Sequence, residues 1–160
     1  MVTYPLLCVV DANILIDLHA GDLLYEFFLL SLQLVAPDVI IAELQEPNGN
    51  DLVECGLQSK ELSGAQVLEV FQLRTRYRQV SANDLFALVL ARTLTATLLT
   101  GDRHLTQVAK RERVPTHGTL WVLDELVRLE LAPSPRIARA LERMLARGRR
   151  LPRAECQERL

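Results

Sequence analysis

The chain has 160 residues, 49% hydrophobic and 24% charged, a balance that suits one globular domain and excludes a disordered or collagen-like chain. Seven Gly and seven Pro are too few for a low-complexity segment, and no apolar run reaches the roughly 18 residues a membrane span needs. The formal net charge is −2, but residues 1–102 hold thirteen acidic against five basic residues, and residues 103–160 hold thirteen basic against seven acidic. That asymmetry hints at a polyanion partner beside an acidic centre, and on its own is better read as two solvated faces of opposite sign.

The N-terminus, MVTYPLLCVVDANIL, has no basic region and no small-residue cleavage site, so no signal peptide is expected. Cys8, Cys55 and Cys156 are odd in number and far apart. They support neither a disulfide framework nor a Cys-x-x-Cys metal site, and a reducing cytoplasm is the expected setting.

In chain order, Leu6–Val10 is a continuous apolar run of strand length, suited to a central parallel strand covered on both faces. Asp11 can cap a helix through Leu18, ended by Gly21. An amphipathic stretch covers Asp22–Leu30. Gln33–Ala36 is a short strand stopped by Pro37, and Asp38 opens a helix that carries Glu43. Pro47–Asn50 is a turn by composition, and Leu52–Cys55 is assigned as a strand. Gly64–Arg78 reads as a helix with Val67, Leu68 and Phe71 on one face. Ser81 is an N-cap with Asp84 three residues on, opening a buried helix through Leu94. Thr97–Thr100 is a strand, Arg103–Arg113 a basic helix, Val114–His117 a fifth strand and Thr119–Leu131 a helix. Pro133-Ser134-Pro135 breaks the chain before a last helix from Arg136 to about Arg147.

Strands alternate with helices throughout. The predicted fold is therefore α/β, a three-layer sandwich with a mainly parallel sheet of four or five strands. The predicted organisation is a domain over residues 1–132 and a basic helical extension over 133–160.

Four carboxylates stand where chemistry would want them. Asp11 and Asp102 each directly follow a strand, and ligands of an open parallel sheet bind beyond the strands' carboxyl ends. Asp84 starts the helix that feeds the strand ending before Asp102, and Glu43 lies on the helix after the second strand. Taken singly, each Asp is better read as a helix cap or first-turn carboxylate, and Glu43 can be an exposed helix residue. Gathered in one pocket, carboxylates stay ionised together only beside a cation. An all-oxygen set points to Mg²⁺ or Mn²⁺ rather than Zn²⁺, and so to metal-assisted attack of water on a phosphodiester.

Four short motifs carry a resemblance: Val10-Asp11-Ala12-Asn13-Ile14-Leu15, Pro37–Leu44 ending in Glu43-Leu44, Ser81-Ala82-Asn83-Asp84, and Leu98-Leu99-Thr100-Gly101-Asp102-Arg103-His104-Leu105. In that order, from residue 6 to about 126, the chain resembles the PIN-domain ribonucleases, of the kind found as VapC-like toxins in toxin–antitoxin pairs. The resemblance implies that Asp11, Glu43, Asp84 and Asp102 bind one or two Mg²⁺ or Mn²⁺ ions and cleave single-stranded RNA. It implies orienting roles for Asn13 and Thr100, a homodimer using apolar surface on the first helices, and a cognate antitoxin that enters the acidic cleft. Gly118-Thr119-Leu120-Trp121 resembles a PIN subgroup with a Gly-Thr-Leu-Gly motif, Trp121 replacing its second Gly. Arg149-Arg150-Leu151-Pro152 resembles that subgroup's C-terminal extension. Two alternatives stay open: a catalytically silent PIN-like module binding RNA or protein, and a DNA-directed nuclease.

Arg103, Lys110 and Arg111, just past the proposed metal site, are candidates for substrate phosphates. Arg136, Arg139, Arg143, Arg147 and Arg150 form a stripe that either tracks phosphates or faces water. His104 and His117 remain unassigned candidates for acid–base work. Trp121 either stacks on a base or packs in the core or a dimer surface, and Asp124 either adds a ligand or lies on a helix surface.

Overall fold

The computed structural model describes residues 5–160; residues 1–4, on which the signal-peptide expectation partly rests, lie outside it. The first half of the chain builds β1 (Leu6–Val10), α1 (Ala12–Ala20), α2 (Leu24–Leu29), β2 (Leu32–Pro37), α3 (Asp38–Glu43), α4 (Gly49–Glu54), β3 (Gln58–Lys60) and α5 (Gly64–Arg76). The second half builds α6 (Ala82–Leu94), β4 (Thr97–Leu99), α7 (Arg103–Arg111), β5 (Thr116–His117), α8 (Thr119–Arg128), α9 (Ser134–Ala146) and α10 (Arg153–Arg159).

All five strands are parallel, in the order β3-β2-β1-β4-β5. Cys8, Val9 and Val10 of β1 and Leu98 and Leu99 of β4 have no accessible surface. A strand buried on both faces needs helices on both, which is why these runs do not alternate in polarity. Helices α5, α6 and α7 pack as one group, and α1, α2, α8, α9 and α10 as another. The predicted α/β sandwich is therefore the fold observed. No helix among the described residues is long and apolar enough to cross a membrane.

The strand order sets the position of the site. From β1 the chain runs outward to β2 and β3, then returns to the other side of β1 for β4 and β5. The order reverses between β1 and β4, and at such a switch point the flanking loops part and leave a crevice beyond the strands' carboxyl ends.

Four expectations need correction. Leu52–Cys55 is not a strand: Asn48 accepts from the Asn50 and Asp51 amides and caps α4 over Gly49–Glu54. The strand of this region is Gln58–Lys60, an exposed polar edge strand with no apolar signal. Helix α5 turns Val70 and Leu73 inward and leaves Leu68 and Phe71 exposed. Helix α9 begins at Ser134, since Pro135 in its first turn has no amide to waste. Its face of Ile137, Ala140, Leu141 and Met144 is buried in the same core as the sheet. The chain then adds α10, absent from the sequence reading, with Cys156 buried beneath it.

Candidate metal centre and adjoining cavity

Asp11 is the residue after β1 and the N-cap of α1, and only 2% of it is exposed. Its own amide donates to the Leu99 carbonyl at 2.9 Å, which extends the β1–β4 pairing by one residue and locks it at the switch point. Three groups donate to its carboxylate: the Ala12 amide at 2.8 Å, the Thr100 hydroxyl at 2.9 Å and the Asn13 side-chain amide at 3.4 Å. The Thr100 hydroxyl in turn accepts from the Asp102 amide at 3.1 Å, so one hydroxyl fixes the spacing of both aspartates. Asp102 caps α7 by accepting from the Leu105 amide at 2.8 Å.

Asp84 stands in the first turn of α6, where the Ser81 hydroxyl accepts from its amide at 3.2 Å. Glu43, the last residue of α3, accepts from the Asn83 side chain at 2.5 Å, which ties the end of α3 to the start of α6. Burial first, and then the charge of Asp84, push the Asp11 carboxyl up to about 7, with Asp102 adding to the effect. Burial and the charge of Asp102 also raise Asp84. The three aspartates thus share one electrostatic neighbourhood.

The four predicted ligands adjoin but do not line one hollow. Asp11, Glu43 and Asp84 border a cleft of about 300 Å³, and Asp102 and Thr100 border a cavity of about 1130 Å³, with Asn13 on the rim of both. Among the described residues, no three His, Cys, Asp or Glu side chains stand close enough to hold one ion. The donor set nevertheless fits a hard divalent cation in kind, being all oxygen, and fits it in charge, since the carboxylates repel one another as they stand.

Of the predicted phosphate residues, Arg103 borders the larger cavity. Lys110 and Arg111 are exposed, two turns farther along α7, and border neither hollow. Asp124 is bound by Arg159 through two bonds, at 2.8 and 2.6 Å. The stripe of the last helix is partly paired: Arg136 meets Glu26 and Arg143 approaches Asp22 at 4.0 Å.

Sequence reasoning missed a second buried carboxylate, Asp17, also 2% exposed. It accepts from the Thr119 hydroxyl at 2.7 Å and from Arg149 Nε at 2.5 Å, while Arg149 Nη2 donates to the Asn13 side-chain Oδ1 at 3.4 Å. Asn13 and Asp17 lie four apart and so share a face of α1. An acid between Leu15 and Leu18, both fully buried, was the available signal.

A parallel sheet with acidic side chains at its switch point defines an α/β protein built around a carboxylate cluster. A family model described as DUF3368, PIN domain, matches residues 7–160, and the chain belongs to that PIN-domain family. None of the curated proteins matches it. Among solved structures, the crystal structure of VapBC2 from Rickettsia felis, bound to a DNA fragment from their promoter, is similar with a TM-score of 0.50 and 15% identity. That likeness covers 71% of this chain and 98% of the other. PAE2754 from Pyrobaculum aerophilum is similar with a TM-score of 0.55 and 16% identity over 80% of this chain and 99% of its own. At such identities the likeness is one of fold, and the family match agrees with the PIN-domain resemblance carried by the four motifs.

Proposed function

We propose that the chain is a divalent-metal-dependent nuclease that hydrolyses single-stranded RNA. One observation carries the reading: Asp11, buried at the switch point, keeps a carboxylate fixed by three donors while Asp84 and Asp102 crowd it with like charge. A structural cap needs no such company. Asp11 and Asp102 are the core ligands of Mg²⁺ or Mn²⁺, and Asp84 and Glu43 complete the set. When bound, the ion supplies positive charge that offsets the carboxylates and polarises water and phosphate oxygens.

The chain's own residues do the rest. Thr100 holds Asp11 and Asp102 in register through its hydroxyl. Asn13 orients Asp11, and Asn83 steadies Glu43. Arg103 at the cavity wall meets the substrate backbone, and Lys110 and Arg111 extend that positive surface along α7. Residues 1–132 carry the carboxylates, and residues 133–160 wall the cavity as an extension. The cellular role supported by the family resemblance is that of a cytoplasmic toxin restrained by a cognate antitoxin. Tyr25 and Leu29, exposed on α2, offer the apolar surface for a homodimer.

Purified protein should cleave labelled single-stranded RNA with Mn²⁺ or Mg²⁺ and stop with EDTA. Asp11→Asn should lower the rate at least about a hundredfold while the circular dichroism spectrum is unchanged. Equal activity in that variant would refute the ligand assignment. Cleavage of DNA alone would make the protein a DNA nuclease, and binding without cleavage would make it a silent module.

A further inference from the structure

The larger cavity, which meets the proposed metal site at Asp102, has further walls that metal binding does not require. We propose that it is a subsite for single-stranded RNA, in which a base stacks on the His117–Trp121 pair while Arg103 and Arg150 take neighbouring phosphates. The inference rests on the nuclease reading above and adds to it where the strand lies and what reads it.

Three observations converge. First, the His117 and Trp121 rings are stacked, centroids 4.2 Å apart and planes 6° off, a preformed aromatic stack in the cavity wall that a base can extend. Both are only partly buried, so the surface is not consumed by the core. Burial favours the uncharged form of His117, which suits it to stacking. Second, four arginines border this cavity and they divide into two kinds. Arg149 is bound by Asp17 and Arg159 by Asp124. Arg103 and Arg150 are exposed and have no carboxylate partner among the described residues. Third, Asn13 borders both this cavity and the carboxylate cleft, and Asn13 and Thr100 both donate to the Asp11 carboxylate, so a strand held here passes the acidic cluster.

An aromatic stack and two free guanidinium groups in one cavity match the alternation of base and phosphate in a single strand. A duplex keeps its bases stacked on one another and offers none to the platform. An acidic peptide would satisfy the arginines but leave the aromatic pair without a partner.

Trp121 is the only tryptophan in the chain, so intrinsic fluorescence reports this cavity alone. Decauridylate should be titrated in Mg²⁺ into the Asp11→Asn protein, which leaves the strand intact. Expected is a saturable change of Trp121 emission, with affinity lowered about tenfold or more when Arg103→Ala and Arg150→Ala are combined in that background. In the otherwise wild-type enzyme the same pair should raise KM about tenfold with kcat within about twofold. Trp121→Leu, which keeps an apolar side chain against the core, should also raise KM, and in the Asp11→Asn background should weaken the binding of labelled decauridylate read by anisotropy.

The inference is overturned if labelled decauridylate binds by anisotropy while Trp121 emission and the arginine dependence are both flat. It is also overturned if duplex RNA competes equally, or if an acidic peptide changes the emission and decauridylate does not. Cleavage that persists through such a result leaves the nuclease reading standing. Arginine-dependent quenching in a protein that cleaves no RNA upholds the subsite and removes the nuclease.

Discussion

Asp11 holds a carboxyl that burial and two neighbouring aspartates push up to about 7, from an ordinary value near 3.8. Above about pH 4 the unfolded chain has released this proton, while the metal-free native state keeps it until about pH 7. The unfolded state therefore binds fewer protons across that window, and the contribution of Asp11 to stability is full below pH 4 and falls as pH rises to 7. In EDTA, chemical denaturation should show Asp11→Asn gaining on the wild type by about 1.4 kcal/mol for each pH unit across the window. A constant difference between the two proteins would mean that the charge on Asp11 is not desolvated. The legibility of the site follows the same physics. Asp11, Asn13, Thr100 and Asp102 were readable because strand ends deliver them to the switch point in order. Asp17 was not, because its partners Thr119 and Arg149 come from more than a hundred residues away. Asn83 was visible only as part of a helix start, and its bond to Glu43 depends on how α3 meets α6.

At the level of elements, the buried strands declared themselves and the exposed edge strand β3 did not. β1 is buried from Cys8 to Val10 and β4 throughout, and β1 is a continuous apolar run while β4 carries Leu98 and Leu99 after Thr97. β3 is an exposed edge strand of Gln-Ser-Lys, where hydrogen bonding to β2 alone makes the strand. α4 was missed because its cap came from Asn48, inside a stretch that composition marks as a turn. The start of that helix also fixes the approach of α3, which carries Glu43. A Cβ on Gly49 would stand 1.9 Å from the Ile41 carbonyl oxygen and 2.9 Å from Ile41 Cγ2. Backbone cannot yield there as the tip of a side chain can. Gly49→Ala should therefore destabilise the protein by about 1–3 kcal/mol in urea denaturation, as overpacking does. A neutral result would show that α3 and α4 are free to separate.

For the molecule as a whole, the question is whether the last 28 residues ride on the domain or belong to it. The core answers in part, since α9 buries Ile137, Leu141 and Met144 in the cluster that also holds β1 and β4. The ion pair of Asp17 with Arg149 carries the tie to the site itself, because Asn13 touches both Arg149 and Asp11. Its two ends differ in exposure: the Asp17 side chain is 4% exposed and that of Arg149 25%. Arg149→Ala leaves a buried carboxylate with the Thr119 hydroxyl as its remaining side-chain donor, whereas Asp17→Asn leaves a guanidinium that water can reach. The first should cost about 2–3 kcal/mol, below the full penalty of a deeply buried pair because water screens the arginine. The second should cost less. If the tail and domain unfold as one unit, each variant keeps a single transition, and the double variant costs about 1–2 kcal/mol less than the sum of the singles. Strict additivity would mean that the two side chains hold their places independently. The tail would then wall the cavity through α9 and α10 packing alone.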